Sequence, residues 1–127
     1  MKLVKYSKIK GEIKVPPSKS YMQRAVALSV LNNDKLTINN PSFCKDSLAC
    51  LGIAENLGIR IQKNKNTISL KNERTIKKYE LNCKESGLCI RMFTPIVSLF
   101  DKEFTITGEG SLLKRPVYML EKPLKHL

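Results

Sequence analysis

The spacing of apolar positions changes repeatedly along this chain, and each change marks an element. Lys2–Tyr6 and Lys10–Val15 mix β-branched and aromatic residues with lysine and read as strands, with Gly11 as a bulge or turn point. Pro16-Pro17 then hold the backbone extended, and Ser18 can accept from the free N–H groups that open a helix. From Lys19 to Leu31, apolar residues such as Met22, Val26 and Val30 cover most of the circumference, which predicts a buried helix. Asn32-Asn33-Asp34 reads as a turn and Lys35–Asn39 as an alternating strand. A second helix is expected from about Lys45 to Leu57, with Ser42 or Cys44 near its start, Asp46 suiting the dipole and Gly58 as its stop. Arg60–Lys63 and Thr67–Leu70 are short strands around an Asn64-Lys65-Asn66 turn.

The order then starts again. Lys78–Leu81 reads as a strand, Ser86–Phe100 as a helix that Pro95 should kink or divide, and Glu103–Thr107 as a strand. A loop over Gly108–Pro116 leads to a last helix near Val117. Arg24 and Arg91 stand 67 residues apart near the starts of matching helices, and Asp46 and Arg115 stand 69 apart near the starts of the next pair. Similar offsets in a similar element order point to internal duplication. The expected fold class is α/β, built from repeated βαβαββ units with the second incomplete. Its helices should run roughly parallel and pack on each other, leaving the strands outside with one polar face.

Composition narrows the function. A chain of 127 residues is one domain's worth, and 42% hydrophobic content argues against disorder. No apolar run approaches the ~18 residues of a membrane span. The N-terminus also lacks the apolar core of a secretion signal, so the expected compartment is the cytoplasm and no membrane partner is expected. Cysteines at 44, 50, 83 and 89 have no zinc or redox spacing, and His126 is the only histidine. They read as buried free thiols, so neither a metal nor a cofactor is expected. Cys89 lies close in sequence to a candidate anion site, where a thiol would be open to modification.

The net charge is +12, from 23 Lys and Arg against 11 Asp and Glu. That would suit nucleic acid, but the cations are scattered. Between Arg60 and Lys84 there are eight cations and two acids, with Tyr79 the only aromatic. Single-strand platforms interleave aromatics with charge. A solvated lysine surface and a cleft for anionic substrates account for the excess better, so no nucleic-acid partner is expected.

Three stretches carry candidate chemistry. In Val15–Arg24, Lys19, Ser20 and Arg24 stand at a helix start, and Ser20 and Arg24 are four apart on one face. Two cations, two hydroxyls and the positive end of a dipole make an anion site, although a capped helix with solvated cations would read the same. In Cys83–Arg91, Gly87 at a strand-to-helix turn would let a substrate approach the backbone N–H groups, and Arg91 follows. By itself, a Ser-Gly turn before an apolar helix is commonplace. In Gly108–Pro116, Arg115 precedes a proline, so its backbone is held extended and its planar fork suits a carboxylate or phosphate.

Together the three resemble the EPSP synthase (3-phosphoshikimate 1-carboxyvinyltransferase) family. Val15-Pro-Pro-Ser-Lys-Ser20, three residues, then Arg24-Ala25 looks like its N-terminal signature. Ser86-Gly87 with Arg91 looks like its Asn-Ala/Ser-Gly-Thr-x-x-Arg segment, although Glu85 stands where the family has Asn and Leu88 where it has Thr. Gly108-x-x-Ser111-Leu112-x-x-Arg115-Pro116 looks like the third. The resemblance implies units of the enolpyruvyl transferase type and transfer of the enolpyruvyl group of phosphoenolpyruvate to the 5-hydroxyl of shikimate 3-phosphate, without a cofactor. It places Lys19, Gly87 and Arg115 against phosphoenolpyruvate, and Ser20 and Arg24 against shikimate 3-phosphate. Asp46 and Arg91 are weaker candidates, and Lys19 is the one candidate for a catalytic role.

The resemblance also covers only the front of the family's pattern. It implies that the first strands, to about Glu12, pack with another domain, and that about 13–127 form part of a substrate-binding domain. The acid/base residues lie beyond this stretch, and Pro123–Leu127 reads as an interrupted helix. A fragment inactive alone is therefore expected, with the remainder of the enzyme completing the cleft. Two other classes stand beside this reading. One is a UDP-N-acetylglucosamine carboxyvinyltransferase, against which the Ser-Lys-Ser signature speaks, and the other is a small basic nucleic-acid-binding module.

Overall fold

The computed structural model describes residues 2–126. Pro16 and Pro17 deliver the chain to Ser18, whose Oγ accepts from the Tyr21 N–H at 3.3 Å, and α1 runs from Lys19–Leu31. β1 (Leu36–Asn39) follows, then α2 (Lys45–Asn56), β2 (Ile59–Lys63) and β3 (Thr67–Asn72). The chain continues through β4 (Glu80–Asn82), α3 (Gly87–Val97) and β5 (Thr105–Thr107). α2 stops where the sequence requires it: Gly58 has φ +94°, and a Cβ there would lie 2.6 Å from the Thr75 carbonyl oxygen.

α1 packs on both α2 and α3. Val26, Ile53 and Phe93, one from each helix, are almost completely buried where they meet. β1 and β2 flank β3 in an antiparallel sheet, with Leu36 opposite Leu70, Ile38 opposite Ile68 and Ile61 opposite Leu70. These apolar positions face the helices, while Arg60, Gln62 and Lys71 carry the outer face, as the alternation predicts. β4 and β5 form a separate parallel pair with α3 as the crossover. The α/β repeat is thus expressed in two complementary pieces. The second unit shows its opening strand–helix–strand, and the first shows its helices and closing strands.

Some expectations are corrected. Lys2–Tyr6 and Lys10–Val15 form no strand: Val4, Tyr6 and Ile9 are more than 90% exposed. Alternation records a propensity, but a strand exists only against a hydrogen-bonding partner, and no described edge takes this segment. Pro95 does not divide α3, which ends at Val97, three residues short of the expected Phe100. The loop after β5 contains a 3₁₀ turn, Gly110–Lys114. The last helix is only a 3₁₀ turn at Tyr118–Leu120 followed by α4 (Glu121–Leu124).

Candidate functional site

The starts of the three long helices converge, and polar side chains hold them together. Lys19, the first residue of α1, donates to Asp46 Oδ2 in the first turn of α2 at 2.9 Å. One turn along α1, Gln23 Nε2 donates to Ser86 Oγ at 2.7 Å and to the Asp46 carbonyl at 3.1 Å. Ser86 Oγ also accepts from the Cys89 N–H at 3.2 Å, so this hydroxyl caps α3 and anchors it to α1. Gln23 is fully buried, and its Oε1 has no hydrogen-bond partner among the described residues.

A cleft of about 950 Å³ opens beside this junction. Lys19, Asp46, Glu85, Ser111 and Arg115 are among the residues that line it. Its charged lining holds four cations (Lys19, Lys45, Lys84, Arg115) and four acids (Asp46, Glu55, Glu85, Glu109), so it does not share the strong positive balance of the whole chain. Lys84 and Glu109 pair at 2.7 Å. The hydrogen bond to Asp46, followed by its charge, raises the Lys19 amine above its ordinary pKa. Lys19 is therefore a fixed cation at neutral pH.

Arg115 comes to the cleft from the far end of the 3₁₀ turn. Its Nη2 donates to Ser111 Oγ at 3.3 Å, and its Nη1 lies 2.9 Å from where a Cβ on Gly87 would be. The guanidinium therefore rests on the Gly87 turn, and the missing side chain makes room for it. Gly87 itself is buried beneath it. Glu85, two residues earlier, accepts from the Ser111 N–H at 3.1 Å. That backbone bond, then the Ser111 hydroxyl, holds its carboxyl below the usual range, with Lys45 and Arg115 adding to the effect.

The structure thus brings Lys19, Asp46, Gly87 and Arg115 together. Ser20, Arg24 and Arg91 do not line this cleft. Ser20 and Arg24 occupy the neighbouring face of α1, and Arg91 points to solvent from α3. Cys89 is completely buried, which corrects its expected openness to modification, and Cys50 and Cys83 are buried with it. Cys44, at the start of α2, is exposed instead. Partial burial pushes its thiol up, but the hydrogen bonds from Ser47 and Ser42 outweigh this and leave it below its ordinary pKa. Gln23 and the Glu85–Ser111 contact were not foreseen. An amide among the apolar positions Met22, Val26, Ala27 and Val30 of α1 is the available signal for the first.

Comparison with known proteins decides the lineage. The sequence pattern of the EPSP synthase (3-phosphoshikimate 1-carboxyvinyltransferase) family matches residues 3–127. The chain belongs to the EPSP synthase family. Among its curated relatives, a 3-phosphoshikimate 1-carboxyvinyltransferase of Clostridium kluyveri is 34% identical over 113 residues, 87% of this chain and 26% of that protein. The one from Nitrosopumilus maritimus is 36% identical over 119 residues, 92% of this chain and 28% of the relative. The solved EPSP synthase of Acinetobacter baumannii superposes with a TM-score of 0.80 at 23% identity, covering 91% of this chain and 27% of that one. This likeness establishes the EPSP synthase fold, and with it the α/β units of enolpyruvyl transferase type. The chain spans about a quarter of the length of the relatives it matches. Among the described residues, no helix is long and apolar enough to cross a membrane, and no group of three or more His, Cys, Asp or Glu is arranged to hold a metal ion.

Proposed function

We propose that this chain supplies part of the site in which an EPSP synthase transfers the enolpyruvyl group of phosphoenolpyruvate to the 5-hydroxyl of shikimate 3-phosphate. The observation that carries this is the meeting of Lys19, Asp46 and Arg115 in the lining of a single cleft, with Arg115 resting on Gly87, four residues from four separate segments of the chain. In this reading Lys19 and Arg115 hold the phosphate and carboxylate of phosphoenolpyruvate over the Gly87 turn. Asp46 keeps Lys19 charged and in place. Ser20 and Arg24, on the next face of α1, take shikimate 3-phosphate, and Arg91 stays a weaker candidate from its solvent-facing position.

The chemistry needs such an array. Protonation of the methylene carbon makes C2 electrophilic, the 5-hydroxyl adds, and the tetrahedral adduct expels phosphate. Cations fixed beforehand stabilise the charge that moves through these steps without reorganising. The groups that carry the protons belong to the remainder of the enzyme, which also completes the cleft, so the chain alone should bind but not turn over. The exposed arm to about Glu12 would pack against that remainder, leaving about 13–127 as part of the substrate-binding domain. Highly charged substrates do not cross membranes unaided, which keeps the cytoplasm as the expected compartment.

The test is a titration of the isotope-labelled chain, followed by NMR. Shikimate 3-phosphate should first shift Ser20 and Arg24, and phosphoenolpyruvate should then shift Lys19, Gly87 and Arg115. If neither ligand moved these residues at millimolar concentration while a DNA oligonucleotide did, the reading would fail in favour of a basic nucleic-acid-binding module.

A further inference from the structure

The contacts around the 3₁₀ turn form a closed circuit. Glu85 Oε2 takes the Ser111 N–H, Ser111 Oγ takes Arg115 Nη2, and Arg115 Nη1 lies back over Gly87, two residues from where the circuit began. Glu85 also packs on the backbone of Gly110, where a Cβ would come within 2.7 Å of its carboxyl carbon. The turn that aims Arg115 is thus seated on a carboxylate, and that carboxylate lines the same cleft as Arg115.

We propose that Glu85 is a specificity-determining residue of this cleft: a built-in anion that holds the Ser111 N–H and offsets the field of Arg115, so that it lowers the affinity for an incoming phosphate. The proposal rests on the reading of the Gly87–Arg115 turn as an anion site. It assigns Glu85 two separable effects. As an acceptor, it seats the turn. As a charge, it competes with the ligand. Lys45 and Arg115 are the cations whose fields act on it, and it is exposed, so its influence on a dianion is modest and sensitive to salt.

A neutral residue able to accept the same hydrogen bond separates the two. Glu85→Gln keeps an oxygen for the Ser111 N–H and removes the charge. The probes are inorganic phosphate and phosphoenolpyruvate, titrated into the 127-residue chain at low salt, with shifts read at Gly87, Ser111 and the Arg115 side chain. Glu85→Gln should bind phosphate about threefold to tenfold more tightly than the parent, and the gap should close in about 1 M salt, where the Debye length is ~3 Å. Equal constants for the two proteins would overturn the proposal while leaving the anion site in place. A gap unchanged by salt would also overturn it, since shape and not charge would then be responsible. If phosphate shifts these residues in neither protein, the anion-site reading fails and takes the proposal with it.

Discussion

α1 and α3 begin alike, and the surroundings of those beginnings differ. Both are capped by a serine in extended conformation, Ser18 at φ −72°, ψ 114° and Ser86 at φ −80°, ψ 100°, each accepting from the N–H three residues on. Ser18 is exposed, and the next residue supplies the cation itself as Lys19. Ser86 is completely buried and also takes a hydrogen bond from Gln23, while its cation arrives from Arg115, far along the chain. Repetition of one unit therefore did not repeat one site. The first start has its cation from the next residue in sequence, and the second receives one through a tertiary contact.

The largest expected effect tests that difference directly. Ser86→Ala removes a cap and strands one buried N–H of Gln23, so it should lower unfolding free energy by about 2–3 kcal/mol. Ser18→Ala loses a cap that water can replace and should cost about 0.5–1 kcal/mol. Parallel denaturant melts of the two variants provide the measurement. Equal losses would mean that the buried Gln23–Ser86 bond contributes nothing beyond capping.

Gly87→Ala should next separate binding from stability. The new methyl would meet Arg115 Nη1, the free end of a flexible side chain, so the fold should hold to within about 0.5 kcal/mol. The displaced guanidinium should weaken phosphoenolpyruvate binding by about tenfold, the scale of one charge-assisted hydrogen bond. Lys19→Ala, which removes the other cation assigned to phosphoenolpyruvate, should produce a similar loss. Unchanged binding in Gly87→Ala would show that Arg115 does not need its perch.

The same contrast explains what could be read from the chain. α1 was legible to the residue because Pro16, Pro17 and Ser18 act locally on the start and Asn32 follows the end. Lys19 and Arg115 were legible as candidates because short motifs mark them. The resting of Arg115 on Gly87, the grip of Glu85 on Ser111 and the bridge from Gln23 to Ser86 join residues 28, 26 and 63 positions apart, and no periodicity encodes such pairs. The arm before Ser18 failed for the opposite reason. Its local signal for strand is good, but the pairing that would make it one is absent among the described residues.

α2 supplies a third start that sharpens the comparison. Its cap position is held by Cys44 at φ −64°, ψ 162°, with no side-chain bond to the helix N–H groups. Cys44→Ser would place a hydroxyl oxygen there and should raise stability by about 0.5–1 kcal/mol. In the parent, Cys44 should be the one thiol of four that iodoacetamide labels in the folded state. The buried thiols of Cys83 and Cys89, pushed well up in pKa by their thiol contacts and burial, should label only on unfolding. Rapid labelling of a second cysteine without unfolding would contradict this arrangement.

The smallest effect belongs to the ion pair that joins the first two starts. Because Asp46 raises the Lys19 amine above its ordinary value of 10.5, the folded state holds this proton more tightly than the unfolded chain does. The stability it contributes is fully present below pH 10.5 and is lost as pH rises through the folded value. Both side chains are open to solvent, at 52% and 27% exposure, so the pair should be worth no more than about 0.5 kcal/mol. Alkaline pH acts on more than one group of any protein, and so the measurement has to be a difference. The stability gap between the parent and Lys19→Met, small at pH 8, should vanish on the alkaline side. In Asp46→Asn, the same Lys19→Met substitution should produce no alkaline change. A gap that instead widened with pH would mean that Lys19 loses its proton on folding, and the pair would not be holding a charged amine in the cleft.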